Sequence, residues 1–94
     1  MPSLLVQHKV PDFDKWKALF DSDEENRRNH GSQGGFVWRG ADDPNEISVL
    51  LHWDSVDNMK KFRDSPELKE KMKEAGITER PSFYFLEEVS RPAA

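Results

Sequence analysis

Ninety-four residues, 35% hydrophobic and 34% charged, make one folded domain (1–94), and three Trp, six Phe and one Tyr supply core material that a disordered chain lacks. The net charge of −4 leaves no basic stripe for nucleic acid and argues against docking on an anionic membrane. With no cysteine, disulfides, thiolate metal sites and cysteine nucleophiles are excluded, and without a long apolar run or an apolar leader the expectation is a soluble, cytoplasmic protein.

The first predicted strand runs from Ser3 to Val10. Leu4, Val6, His8 and Val10 share one face, and Leu5, Gln7 and Lys9 the other. Pro11 ends it. Asp12 reads as a helix N-cap, with Val10 and Trp16 placed for a hydrophobic staple. Phe13, Trp16, Leu19 and Phe20 then form an apolar stripe at helical spacing. From Asp21 to His30 no apolar residue occurs, so this half of the helix is expected to project over solvent, as a plain solvated end or as a movable lid. Glu24 can pair with Arg27 or Arg28, and Gly31 is placed to end the helix.

Gln33 to Gly40 reads as a second strand, with Phe36 and Trp38 on one face and Gly34 and Gly35 marking a bulge. After a turn at 41–45, Glu46 to Asp54 is the strongest strand. Ile47, Val49, Leu51 and Trp53 share one face, and Ser48, Leu50, His52 and Asp54 the other. Asp54 or Ser55 caps a helix bearing Val56, Met59 and Phe62. Ser65-Pro66-Glu67 repeats the start signal, breaking the helix there, and Leu68, Met72 and Ala75 form the new stripe. Gly76 ends it. The last strand, Ser82 to Val89, carries Phe83 and Phe85 on one face and Tyr84 and Leu86 on the other.

The order βαββαβ predicts an α+β, ferredoxin-like fold with a four-stranded antiparallel sheet. Right-handed crossovers place both helical segments on the same face. Yet both faces of the strands are apolar: Leu5, Leu50 and either the Tyr84/Leu86 or the Phe83/Phe85 pair fall on the face the helices leave bare. Such a patch marks an interaction surface, and a second copy of the chain is its simplest partner.

His8 is the leading candidate for chemistry. Set between Val6 and Val10, it should face the helices, where a buried imidazole can serve as a general base. The alternative is a core histidine with both ring nitrogens hydrogen-bonded. Trp16, Trp38, Trp53, Met59, Phe62 and Met72 either line an apolar, substrate-binding pocket or are plain core. Tyr84 and Arg39 are candidates for orienting a phenolate or carboxylate. By alternation His52 points away from His8, so the two cannot share a metal, and no metal site is expected.

Several of these segments resemble the dimeric α+β-barrel superfamily, near its antibiotic-biosynthesis-monooxygenase-like group. Leu4 to Trp16, LLVQHKVPDFDKW, resembles the group's first strand and helix start. Leu51-His52-Trp53-Asp54 resembles its strand ending in Trp, and Ser65-Pro66-Glu67-Leu68 its second helical piece. The resemblance implies a homodimer whose two sheets close a barrel, and a cavity between sheet and helices in each subunit. It also implies a range of activities: cofactor-free oxygenation of quinol-like aromatics, haem degradation, polyketide cyclisation and lactone isomerisation. One departure stands out. The oxygenases commonly carry a His nine positions after the strand Trp, and here that position is Phe62. The Asn-Trp-His set of the haem degraders is also missing, since the first strand offers Gln7 and His8. The leading expectation is an enzyme acting without a cofactor on a hydrophobic, aromatic or polyketide-like small molecule, with His8 as proton acceptor. The alternatives are a dimeric ligand-binding or structural protein, and a haem binder with His8 as axial ligand.

Overall fold

Alternating strands, apolar on both faces, and capped starts to the helices generate the architecture seen in a computed structural model, which describes residues 2–94. The elements are β1 (Pro2–Lys9), α1 (Phe13–Ser22), α2 (Glu24–Asn29), β2 (Ser32–Arg39), β3 (Glu46–Trp53), α3 (Val56–Arg63), α4 (Pro66–Glu74) and β4 (Ser82–Glu87). All strand pairs are antiparallel, in the order β2-β3-β1-β4. No helix is long and apolar enough to cross a membrane among the described residues.

Side-chain oxygens start three of the helices. Asp12 accepts from the Lys15 N–H, Ser55 from that of Asn58 and Ser65 from that of Leu68, and Pro66 occupies the first turn of α4. The break between α3 and α4 is thus written into the chain. The break between α1 and α2 is not. Asp23 leaves helical geometry at φ −95°, ψ 8°, and its N–H turns back to the carbonyls of Phe20 and Asp21. This corrects the expectation of one helix with a solvent-projecting second half. The break redirects α2, and Asp23 and Arg27 are buried.

Leu4, Val6, Ile47, Val49, Leu51 and Trp53 lie on the helix-facing side and form the core with Val10, Trp16, Met59, Phe62 and Ala75. Register decides what alternation left open. Val6 pairs with Phe83 and Leu4 with Phe85, while Leu5 pairs with Tyr84 and Ser3 with Leu86. The bare face therefore holds Leu5, Leu50, Tyr84 and Leu86, joined by Phe36 and Trp38 from β2, which stack on each other at 5.3 Å. Phe36 is 55% and Trp38 49% exposed. His52 accompanies them and is fixed by Ser3 Oγ at 2.8 Å.

Two glycines answer steric demands. The β2–β3 register shifts between Ser32 and Gly35, as expected for a bulge, and a Cβ on Gly35 would lie 1.8 Å from the Leu50 carbonyl oxygen. We expect Gly35→Ala to lower stability by about 1–3 kcal/mol, the usual cost of overpacking, read as a fall in the urea midpoint. Gly31, at φ 104°, follows α2. Its carbonyl accepts from the Asp54 N–H at 3.0 Å, and a Cβ there would meet the Asp54 carboxylate at 2.3 Å. Asp54 Oδ1 also accepts from the Asn58 amide at 2.9 Å, so the end of α2 is tied to the start of α3.

Candidate active site

A cavity lies where the helix layer meets the sheet. Val6 and His8 of β1, Val49 and Leu51 of β3 and Phe83 of β4 contribute from the sheet side. Trp16 and Phe20 of α1, Phe62 of α3, and Leu68 and Met72 of α4 contribute from the helix side. Its polar groups are His8, Asp23, Arg27 and Lys71. Its volume is about 60 Å³, less than half of the ~150 Å³ of a cavity that encloses a benzene. An aromatic ligand therefore requires a wall to give way. The least buried wall is α4, which buries none of its own residues between the buried Ser65 and Ala75. A haem macrocycle has no room beside His8 in this arrangement.

His8 meets Trp16 edge-on, with ring centroids 5.8 Å apart. Its Nδ1 is buried and has no hydrogen-bond partner among the described residues. A buried polar atom left unpaired costs about 1–3 kcal/mol. Among the described residues nothing supplies the hydrogen bond that the core-histidine reading of His8 expects at this nitrogen. Burial disfavours the imidazolium and holds the His8 pKa below the 6.5 of a free imidazole, so the ring is neutral at pH 7 and able to accept a proton. The same residue borders an outer depression lined by Lys9, Glu46, Glu79 and Arg80. A proton taken on the cavity side thus has water within reach.

The sign of the pH effect follows from that shift. Between the folded pKa of His8 and 6.5, the unfolded chain binds the extra proton, so stability rises with pH through this window and is lost as pH falls through the folded value. We expect urea midpoints to decline on acidification below about 6.5, with this part of the decline absent from His8→Phe.

Of the residues expected to bind substrate, Trp16, Phe62 and Met72 line the cavity with His8. The others do not. Trp53 and Met59 are fully buried core residues off the cavity wall; Trp53 packs on Phe62 at 4.8 Å. Tyr84 and Trp38 face the bare side of the sheet, because their partners Leu5 and Ser48 do. Arg39 reaches the outer side of α1, its guanidinium 4.7 Å from the Phe13 ring. Among the described residues no group of three His, Asp or Glu side chains is placed to hold a metal ion.

Sequence reasoning missed Asp23 and Arg27. The signal was present: Trp16, Phe20, Asp23 and Arg27 fall at i, i+4, i+7 and i+11, one continuous stripe. Polarity hid it. Arg27 is 8% exposed, donates to the Phe20 carbonyl at 2.5 Å and lies 3.8 Å from the centre of the Phe20 ring. Burial lowers its pKa, while Asp23, Glu24 and Asp21 act in the opposite sense.

Solved structures share this architecture over nearly the whole chain. An antibiotic biosynthesis monooxygenase candidate from Bordetella bronchiseptica superposes with a TM-score of 0.79 at 21% identity, covering 95% of this chain and 97% of that one. SnoaB, a cofactor-independent oxygenase from Streptomyces nogalater, gives 0.79 at 9% identity, covering 99% and 97%. A conserved protein from Methanosarcina mazei gives 0.73 at 13% identity, covering 94% and 92%. No protein-family model matches the sequence, and no curated protein sequence does. At these identities the likeness is one of fold, and the fold is the ferredoxin-like one of the antibiotic-biosynthesis-monooxygenase-like proteins.

Proposed function

We propose that the chain is a small-molecule enzyme that acts without a cofactor on a hydrophobic, aromatic or polyketide-like compound, with His8 as the base. One observation carries the reading: a neutral imidazole, one nitrogen buried and unpartnered, borders an apolar cavity. Oxygenation, cyclisation and isomerisation share a first step that this group can perform. The imidazole takes a proton from an acidic C–H or O–H, giving an imidazolium and a delocalised carbanion or enolate. Apolar walls disfavour the charge pair this creates, so the substrate that suits the site is one whose aromatic framework spreads the negative charge. In the oxygenation of an anthrone-type ring, a CH2 becomes C=O. One atom of O2 enters the carbon, and the other leaves as water with the two hydrogens removed. That SnoaB is described as a cofactor-independent oxygenase supports this choice of reaction.

The bare sheet face enters the same proposal. Phe36, Trp38, Tyr84 and Leu86 are too exposed for a lone subunit, and a second copy packing sheet to sheet would cover them. A dimer of this kind also braces the floor on which His8 stands.

A second reading is favoured by a specific feature. His8 has no carboxylate to orient it, and Phe62 offers no second acid or base. On that reading the dimer binds a small apolar ligand without turnover. Oxygen uptake separates the two. With anthrone or a hydroquinone, the enzyme is expected to consume one O2 per ring above the spontaneous rate. Failure to consume oxygen, with a compound seen in native mass spectrometry and unchanged on incubation, would leave the binding protein.

A further inference from the structure

We infer that the cavity is built for an aromatic anion, an apolar ring system bearing one ionised oxygen, and that Arg27 is the residue that reads the charge. The inference rests on the cavity being a ligand site, as proposed above, but not on His8 acting as a base.

Arg27 is the first ground. A cation taken out of water is expected to be paired. Arg27 is 8% exposed, yet the only hydrogen bond of its guanidinium among the described residues goes to the neutral Phe20 carbonyl. A guanidinium has five N–H donors. Arg28, one residue on, shows the ordinary arrangement: it is exposed and reaches Glu24 at 3.7 Å. Capping the end of α1 would not require burying Arg27 over an aromatic ring on a cavity wall. Asp23 is the acid that lines the cavity with it. Its Oδ2 takes the Asn26 amide at 3.4 Å instead, and no ion pair joins it to Arg27. Arg27 and Lys71 line the cavity beside that one carboxylate.

The second ground is the approach. Leu68, Met72 and Phe83 line both the cavity and an outer opening between α4 and β4. Arg63, Lys69 and Arg80 stand around this opening, and its one acid, Asp64, is engaged by Arg63 at 2.9 Å. The chain carries a net charge of −4. Basic residues are thus gathered around the mouth, with Arg27 on the cavity wall, in an otherwise acidic molecule, the arrangement that draws in anions. Flexible Met72 stands between mouth and cavity, and the stem of Lys71 lies beside it.

The test compares 2-naphthoate with 2-naphthamide, equal in ring and different in charge, by calorimetric titration of the full chain. Naphthoate is expected to bind about tenfold or more tightly, the worth of a hydrogen bond to a charged group. Arg27→Gln should remove the preference, with naphthoate losing much more affinity than naphthamide. Equal affinities in the wild type, or a preference that survives Arg27→Gln, would overturn the assignment. So would a folded variant that loses both probes alike, since Arg27 would then merely support the wall. Should Arg27→Gln not fold, the wild-type protein decides: the Arg27 Nε–H resonance is expected to move with naphthoate and not with naphthamide, and no movement counts against the assignment. The two readings fail separately. If oxygen uptake is absent while the naphthoate preference stands, the enzymatic reading falls and the anion site holds. If neither probe binds, the ligand site itself is lost.

Discussion

Replacing His8 with Phe is expected to cut turnover by about 10²–10⁴-fold, the usual contribution of a positioned base. Phe is close to imidazole in size and keeps the edge-on contact with Trp16, which stands at 5.8 Å. It also removes the orphaned Nδ1, so the variant should be as stable as the wild type or more so. The two effects together make the substitution informative: activity falls while the fold does not. His8→Gln adds a control, because it restores a polar group without a base of useful strength. The pH profile of the wild type should agree. Since burial holds the His8 pKa under 6.5, the acid limb of kcat/KM belongs below that value, and activity should be flat from there to neutrality. Unchanged turnover in His8→Phe would remove the residue from the mechanism.

Trp38→Asp is expected to have the second large effect, on assembly. Trp38 stacks on Phe36 in the middle of the exposed β2 surface. Burying a large apolar side chain contributes about 1.5–3 kcal/mol. A two-fold interface counts each residue twice, so the dimer should weaken by roughly 10²–10⁴-fold, before adding the cost of a buried carboxylate. Sedimentation at micromolar concentration should show the wild type at twice the 10.9 kDa of the chain and the variant at the chain mass. The isolated subunit gives the control. Trp38 is 49% exposed within one chain, so the substitution leaves the core intact and the far-ultraviolet dichroism unchanged. A wild type that sediments as a single chain would end the two-sheet model.

Much of the fold was legible because single residues announced it. Val49, Leu51 and Trp53 alternate without exception, and all three are buried. Ser65-Pro66 marks a helix start that the structure places at Ser65. Gly34-Gly35 marks a bulge that the register contains. His8 on the helix-facing side followed from the same alternation. Two things were hidden. Alternation says which residues share a face but not which face the helices cover, and in β2 and β4 both faces are apolar. Register with β1 and β3 was needed to send Phe83 to the cavity and Tyr84 and Trp38 away from it. The break at Asp23 was hidden because it carries no Gly, Pro or side-chain cap. Without it, Arg27 reads as one more charge on a wet surface.

The clasp of Gly31, Asp54 and Asn58 has a mechanical corollary. It fastens the α1–α2 arm to the foot of α3, whereas α4 is held by its buried caps Ser65 and Ala75 and has no buried residue between them. The helical cover is therefore a vice with one bolted jaw and one sprung jaw. Charge is read on the bolted side, by Arg27, and girth is accommodated on the sprung side, by Leu68 and Met72. Guests differing in bulk should then be sorted by how far the spring must open, and those differing in charge by a gauge that does not move.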